Sequence, residues 1–336
     1  MIYAKALGGA LDHCLRTDSR VVVLGEDIAD PYGGAFKVTR GLSTAYPDRV
    51  RATPVSEAAI VGMAAGLALG GFRPIAEIMF GDFLALCFDQ VINHIAKYEA
   101  MYNRQVTCPV IIRTPSGGGR AYGPTHSQSL EKHFLGIPHL RVLAASLYHE
   151  PRETFEFFLA QGSPVLYIEH KLLYPMHMAA IQEGRVGECR VSLSGSGDVL
   201  PTVHLSPVPR EDCSLTVLAY GYQAVLAQRA IQKLAVEKEI FAELLVPAQI
   251  APIDWAPIEK SVAATGRLAT VEEGTGGWSW GTEIAAGTGK RFFGRLRRPV
   301  EVLASEPTVI PSARQLERHM LMNADKVEKA IEECAA

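Results

Sequence analysis

Apolar and polar positions along this chain follow two periods. Residues 4 to 16 place apolar side chains every third or fourth position, which predicts an amphipathic helix. Next comes Arg20-Val21-Val22-Val23-Leu24-Gly25-Glu26-Asp27, a β-branched run ending in glycine and acids, as a buried parallel strand reads. Asp48–Thr53, Arg73–Ile78, Pro109–Arg113, Leu140–Ala144 and Pro164–Glu169 read as further short strands. Helices are expected from Glu57 through the apolar run Val61–Phe72, over Asp82–Tyr102, and over Pro151–Ala160. Strands alternating with helices imply an open, mainly parallel sheet covered on both faces. Such sheets bind ligands at the carboxyl ends of their strands.

From Met176 to Asp212 the pattern breaks. Ser192-Leu193-Ser194-Gly195-Ser196-Gly197 and Ser206-Pro207-Val208-Pro209 predict a linker holding a strand or two. A second α/β unit follows, with strand Leu215–Gly221, helix Gln223–Val236, strands Ile240–Leu245 and Leu268–Glu273, and a helix Ala324–Glu333. The expected organisation is a domain over 1–175, a linker over 176–212 and a domain over 213–336. The expected fold class is α/β with two open, mainly parallel sheets.

Composition removes several function classes. Net charge is −3, so no electrostatic footprint points to nucleic acid or to an anionic membrane. No apolar run is long enough to span a bilayer, and Met1–Leu7 lacks the regions of a signal peptide. Cysteines stand at 14, 87, 108, 189, 213 and 334, with no C-x-x-C pair, so no metal site is argued from them, and their scatter fits a reducing cytoplasm. The common phosphate motifs fail. Ile284 and Arg291 break a Walker pattern around Gly289-Lys290, and Gly62, Gly66, Gly70 and Gly71 lie inside an apolar helix without dinucleotide spacing. No diphosphate grip is legible in this chain.

Two segments carry candidate chemistry. In Thr53-Pro54-Val55-Ser56-Glu57, Pro54 suits a first helical position and Thr53 or Ser56 suits a cap. Glu57 then stands at the mouth of an apolar, small-residue helix. Near the core such a carboxylate pairs, shifts its pKa, or holds a proton for chemistry. In water it would be an ordinary first-turn acid favoured by the helix dipole. The second segment leaves a strand as Arg113-Thr114-Pro115-Ser116-Gly117-Gly118-Gly119-Arg120 and reaches His126-Ser127-Gln128-Ser129-Leu130-Glu131. Three consecutive glycines permit unusual dihedrals, close approach, or ordering on binding. His126 could transfer protons there, or it could cap a solvated loop.

These residues stand in a family order. Gly25-Glu26-Asp27, Gly33-Gly34-Ala35-Phe36-Lys37, Arg40-Gly41-Leu42 and Thr53–Glu57 are followed by Gly71–Glu77 and Asp89-Gln90-Val91-Ile92-Asn93 with Ala96-Lys97. Arg113–Gly119, His126–Glu131 and Val271-Glu272-Glu273-Gly274 complete the set. The chain resembles the beta subunit of the thiamine-diphosphate-dependent decarboxylating component of 2-oxo acid dehydrogenase complexes. Pyruvate, branched-chain 2-oxo acid and acetoin dehydrogenases use such a subunit.

The resemblance implies a transketolase-like, pyrimidine-binding domain followed by a transketolase C-terminal-like domain. It implies thiamine diphosphate shared with an alpha subunit in an α2β2 heterotetramer, with Mg2+ and the diphosphate held mainly by alpha. A small 2-oxo acid substrate and acyl transfer to a lipoyl acyltransferase core follow from the same resemblance. Glu57 matches the glutamate that hydrogen-bonds the aminopyrimidine, Phe83 the aromatic that stacks on it, and His126 the histidine of the substrate channel. Glu26 matches part of an acidic path between paired cofactors. Leu86 and Gln161 depart from residues that relatives can carry, a polar side chain and a cation-holding Asp. An alternative within the fold is half of a split transketolase-like or acyloin-forming enzyme; outside it, a non-catalytic scaffold.

Overall fold

The β-branched runs Val21–Glu26, Ile111–Ser116 and Val165–His170 become strands buried at nearly every position, while the edge strand Val50–Thr53 exposes Arg51 and Ala52. A computed structural model describes all 336 residues. They form two units, Met1–Gly117 with His133–Met178, and Gly118–Lys132 with Ala179–Ala336.

The first unit holds β1 (Val21–Glu26), β2 (Val50–Thr53), β3 (Arg73–Glu77), β4 (Ile111–Ser116), β5 (Arg141–Ala144) and β6 (Val165–His170). They run β5-β6-β4-β3-β1-β2, every pair parallel. β4 and β6 are buried at every position, as a sheet covered on both faces requires. Helix α1 (Tyr3–Thr17) packs on β1 and on a later helix, Pro151–Gln161. After the short α2 (Leu42–Ala45), α3 (Glu57–Leu69) packs on β3 and β1.

Two local expectations fail here. Helix α3 begins at Glu57, with Pro54 in the turn ahead of it, and the extended Ser56 accepts no capping bond through its side chain. The helix expected over Asp82–Tyr102 is broken into a 3-10 helix (Gly81–Cys87), a π turn (Gln90–Ile95) and the short α4 (Tyr98–Met101). Buried Leu84, Cys87, Val91 and Ile95 are spaced by three and then by four. An apolar pattern fixes which side faces inward, but not whether the winding between is tight or loose. The remaining helix, α5 (Pro151–Gln161), starts with proline at its first position and ends at Gly162 in the left-handed region.

The second unit holds β7 (Arg185–Val186), β8 (Cys189–Ser194), β9 (Thr202–Ser206), β10 (Leu215–Ala219), β11 (Ala242–Val246), β12 (Gln249–Ala251), β13 (Leu268–Thr275) and β14 (Glu301–Ser305). Its sheet runs β14-β13-β10-β11-β9-β8-β7. The first four of these strands are parallel neighbours, and β11-β9-β8-β7 are antiparallel. This sheet is therefore mixed rather than mainly parallel. Short turns such as Gly187-Glu188 between β7 and β8 permit antiparallel neighbours without a crossover helix. The unit's helices are α6 (Gly221–Lys238), α7 (Trp255–Thr265), α8 (Trp280–Arg291), α9 (Arg314–Met320) and α10 (Ala324–Ala335). No helix is long and apolar enough to cross a membrane.

Candidate active site: a lone buried glutamate and a clamped glycine loop

The first unit gathers its candidate chemistry at the carboxyl ends of β1 and β2. Glu26 ends β1, paired in register with Thr53 at the end of β2. Glu57 opens α3 just beyond, buried at 6% exposure. No side chain or backbone group of this chain hydrogen-bonds its carboxylate. Its charge is felt by neighbours on two elements. Burial, then Asp27 and then Glu57, pushes the Glu26 carboxyl above the usual range. Burial and then Glu57 push the Cys87 thiol up to about 12. Cys87 ends the 3-10 helix that carries half-buried Phe83, and α3 packs on that helix. Glu26, Glu57 and the Phe83 segment are thus brought together.

Behind Phe83 runs a chain of rings. Phe83 meets Phe80 edge-on at 5.9 Å, Phe80 meets Phe36 edge-on at 5.9 Å, and Phe36 meets Tyr174 at 4.9 Å. Lys171, fully buried, places its ammonium 5.3 Å from the Phe80 ring centre. Tyr174 donates its hydroxyl to Glu169 Oε2 at 2.6 Å. Arg113 grips the same carboxylate with Nε and Nη2, both at 2.7 Å, and donates Nη1 to Glu77. All four groups are buried. Burial holds the Glu77 carboxyl above its ordinary range, against the pull of Arg113. Burial works against the Arg113 charge, but Glu169 and Glu77 hold its pKa well above the usual value. The fork geometry satisfies donors and acceptors together, which a buried ion pair needs.

His126 belongs to the other unit. It lies half-buried on the loop Gly118–Lys132, with Thr125 Oγ1 3.0 Å from its Nδ1. Glutamates clamp this loop. Gly118 N–H donates to Glu273 Oε1 at 2.7 Å, and Ser129 Oγ donates to the same oxygen at 3.2 Å. Glu317 accepts from Gly119 N–H at 3.0 Å and from Ala121 N–H at 2.8 Å. Tyr220 donates to Glu131 Oε1 at 2.6 Å, and Lys132 Nζ reaches Thr275 Oγ1 at 2.7 Å. The glycine run serves two of the three uses expected of it, unusual dihedrals and close approach. Gly117 and Gly119 have φ of 84° and 85°, and a Cβ on Gly118 would collide with Leu321 Cδ1.

Sequence reasoning gave the clamp glutamates no role, although Glu273 stood in the motif Val271–Gly274. Glu273 left a trace, since two adjacent acids in the apolar run of β13 cannot both face water. Glu317, on the short α9, left none. Beside the clamp, Glu272 accepts from Ser279 Oγ at 2.5 Å and Gly281 N–H at 2.9 Å. Burial, reinforced by the charge of Glu131, pushes its carboxyl up to about 7.

The profile of the transketolase pyrimidine binding domain matches residues 1–177, and that of the transketolase C-terminal domain matches residues 206–327. The chain belongs to the transketolase family. Its full-length transketolase-type relatives include the pyruvate dehydrogenase E1 component subunit beta of Leifsonia xyli subsp. xyli. That protein is 34% identical over 336 residues, covering 99% of this chain and 94% of the relative. The 2-oxoisovalerate dehydrogenase subunit beta of Bacillus subtilis is 32% identical over 338 residues, covering 100% and 98%. The acetoin:2,6-dichlorophenolindophenol oxidoreductase subunit beta of Cupriavidus necator is 32% identical over 335 residues, covering 97% and 94%. A solved split gene transketolase, an inactive beta4 tetramer, superposes with a TM-score of 0.73 at 21% identity, covering 100% and 99%. That likeness speaks to the fold. The expected family and the order of its two transketolase-type domains are borne out.

Proposed function

We propose that this chain is the beta subunit of a thiamine-diphosphate-dependent 2-oxo acid dehydrogenase, supplying the aminopyrimidine half of the cofactor site in an α2β2 heterotetramer. One observation carries the reading. Glu57 is buried at the carboxyl ends of β1 and β2 and has no hydrogen-bond partner in its own chain. A carboxylate on a largely buried residue that no group of its own chain meets is open to a ring nitrogen brought by a ligand. The residues present therefore fit the aminopyrimidine. The absence of a diphosphate grip fits an alpha subunit that holds Mg2+ and the diphosphate.

When bound, thiamine diphosphate supplies the electron sink for decarboxylation of a small 2-oxo acid. Glu57 holds a proton at its carboxyl oxygen for the pyrimidine nitrogen. The burial of Glu57 at the start of α3 limits competition from water for that proton. Phe83 offers its ring face for stacking, and the Phe80–Phe36–Tyr174 chain fixes that ring from behind. Glu26 extends an acidic path from Glu57. His126 handles protons, or orients the lipoyl arm, as the acyl group passes to a lipoyl acyltransferase. Six buried free cysteines suit work in the cytoplasm. Relatives of full length named as dehydrogenase beta subunits favour this reading over a split transketolase.

The test is Glu57→Gln in enzyme reconstituted with its alpha subunit. The amide is isosteric, so thermal unfolding should match wild type. Decarboxylation and exchange of the cofactor's C2 proton should both drop at least about a hundredfold, as losing a positioned acid–base group implies. Wild-type C2 exchange in the variant would overturn the role of Glu57.

A further inference from the structure

We propose that a groove on the first unit, between α1 and residues 36–45, receives an acidic, extended segment of the alpha subunit. This rests on the beta-subunit reading above. The groove encloses about 600 Å3 and is open along one side. Ile2, Phe36 and Leu42 give it apolar lining, and Lys5, Lys37 and Arg40 line it with a single acid, Asp12. Two of those four charges are already committed. Asp12 accepts the Tyr46 hydroxyl at 3.0 Å. Lys37 donates to Tyr32 O at 2.9 Å and lies 3.5 Å from the centre of the Tyr32 ring. Lys5 and Arg40, both exposed, form no ion pair within the chain. The groove therefore offers uncommitted positive charge over apolar surface.

Two adjacent glycines in α1 sharpen the inference. Glycine is a poor helix former, so each position in a helix interior calls for a reason. Gly8 has one, since a Cβ there would lie 2.7 Å from Val38 O, so its absence lets the loop close on the helix. Gly9 has none within this chain, because nothing lies within 4 Å of where its Cβ would be. It leaves a strip of bare helix backbone on the groove wall, where a second main chain can approach closely. From Ile2 to Asp12 the helix rises roughly 15 Å, enough to lie beside four or five extended residues. A second copy of this chain is a poor occupant, because a two-fold contact there would set Lys5 and Arg40 against their own copies. An acidic segment from a different subunit removes that conflict.

The experiment uses the full-length chain with its purified alpha subunit. Assembly affinity is measured by analytical ultracentrifugation at low and high salt for wild type, Lys5→Glu/Arg40→Glu, and Gly9→Leu. The charge reversal should weaken assembly by about tenfold or more and abolish most of its salt dependence. Gly9→Leu should weaken assembly while raising the melting temperature of the isolated chain, since leucine favours the helix. That opposition of signs separates an interface role from a folding defect. A photo-crosslinker in place of Gly9 should link to a stretch of alpha rich in Asp and Glu. Wild-type affinity in both variants, or a crosslink to a second beta chain or to a neutral stretch of alpha, would overturn the groove and leave the beta-subunit reading intact. A wild-type chain that binds no alpha subunit would overturn both.

Discussion

Gly118 N–H donates to Glu273 Oε1 at 2.7 Å, across 155 residues of sequence. The same carboxylate accepts Ser129 Oγ at 3.2 Å and Gln223 Nε2 at 2.9 Å. One side chain therefore holds both ends of the stretch on which His126 lies. Glu273→Ala would leave buried donors on Gly118 and Gln223 without an acceptor, at about 1–3 kcal/mol each. The expected result is a loss of stability on the order of 3 kcal/mol and faster amide exchange over residues 118–132. Wild-type exchange there would mean that Glu317 alone suffices to hold the loop.

Glu272 makes this clamp region sensitive to pH. Its carboxyl titrates at about 7 in the folded chain against an ordinary 4.5. Below pH 4.5 both folded and unfolded forms carry the proton, and the group contributes no pH dependence. Between 4.5 and 7 the unfolded form ionises while the folded form keeps its proton, so stability falls as pH rises. Above 7 the loss levels off, at on the order of 3 kcal/mol. Glu272→Gln preserves acceptance from Ser279 and Gly281. Denaturant melts of the two proteins should diverge across that window, the variant losing less stability with rising pH. Parallel curves would remove Glu272 as the cause.

Arg113 is the cation on which the ion network of the first unit depends. Arg113→Met leaves Glu77 and Glu169 buried without their partner, a change expected to cost about 3–5 kcal/mol. Arg113→Lys keeps the charge but not the fork, and should fall between the two. Urea titrations would rank the three, and Lys equal to Arg would show that charge alone matters.

Phe83→Ala tests the stacking role separately from Glu57. Losing one aromatic face should raise the apparent Kd for thiamine diphosphate by up to about tenfold, with little change in turnover at saturating cofactor. An unchanged Kd would assign Phe83 to packing alone.

His126→Ala should slow transfer to a lipoyl domain more than it slows decarboxylation. Single-turnover assays with and without the acceptor separate the two steps. Equal slowing of both would give His126 a role ahead of acyl transfer.

The helix at Glu57 and the parallel strands before and after it were legible, because apolar spacing and β-branched runs are local signals. Winding was not. Leu84, Cys87, Val91 and Ile95 announce one buried side, yet their spacing is met by a 3-10 helix and a π turn in succession. Where β7, β8 and β9 now stand, only a linker with a strand or two was expected, because the turn signals of Gly, Ser and Pro outweighed the short runs between them. Partners far apart in sequence were out of reach altogether. Nothing local to Glu317 on α9 says that its two oxygens take the N–H groups of Gly119 and Ala121. Glu57 was legible as an acid in an apolar helix, but only the structure leaves its carboxylate without a partner in the chain.

The glycine loop leaves a strand of the first unit, is claimed by the second, and is followed by residues that return to the first. Neither unit is therefore a continuous piece of the gene. A fragment ending at 178 would carry fifteen residues whose anchors it lacks, and the complementary fragment would keep Glu273 and Glu317 without the loop they clamp. Splitting this chain into two independently expressed halves needs two breaks, or a rearranged order of segments, rather than one cut.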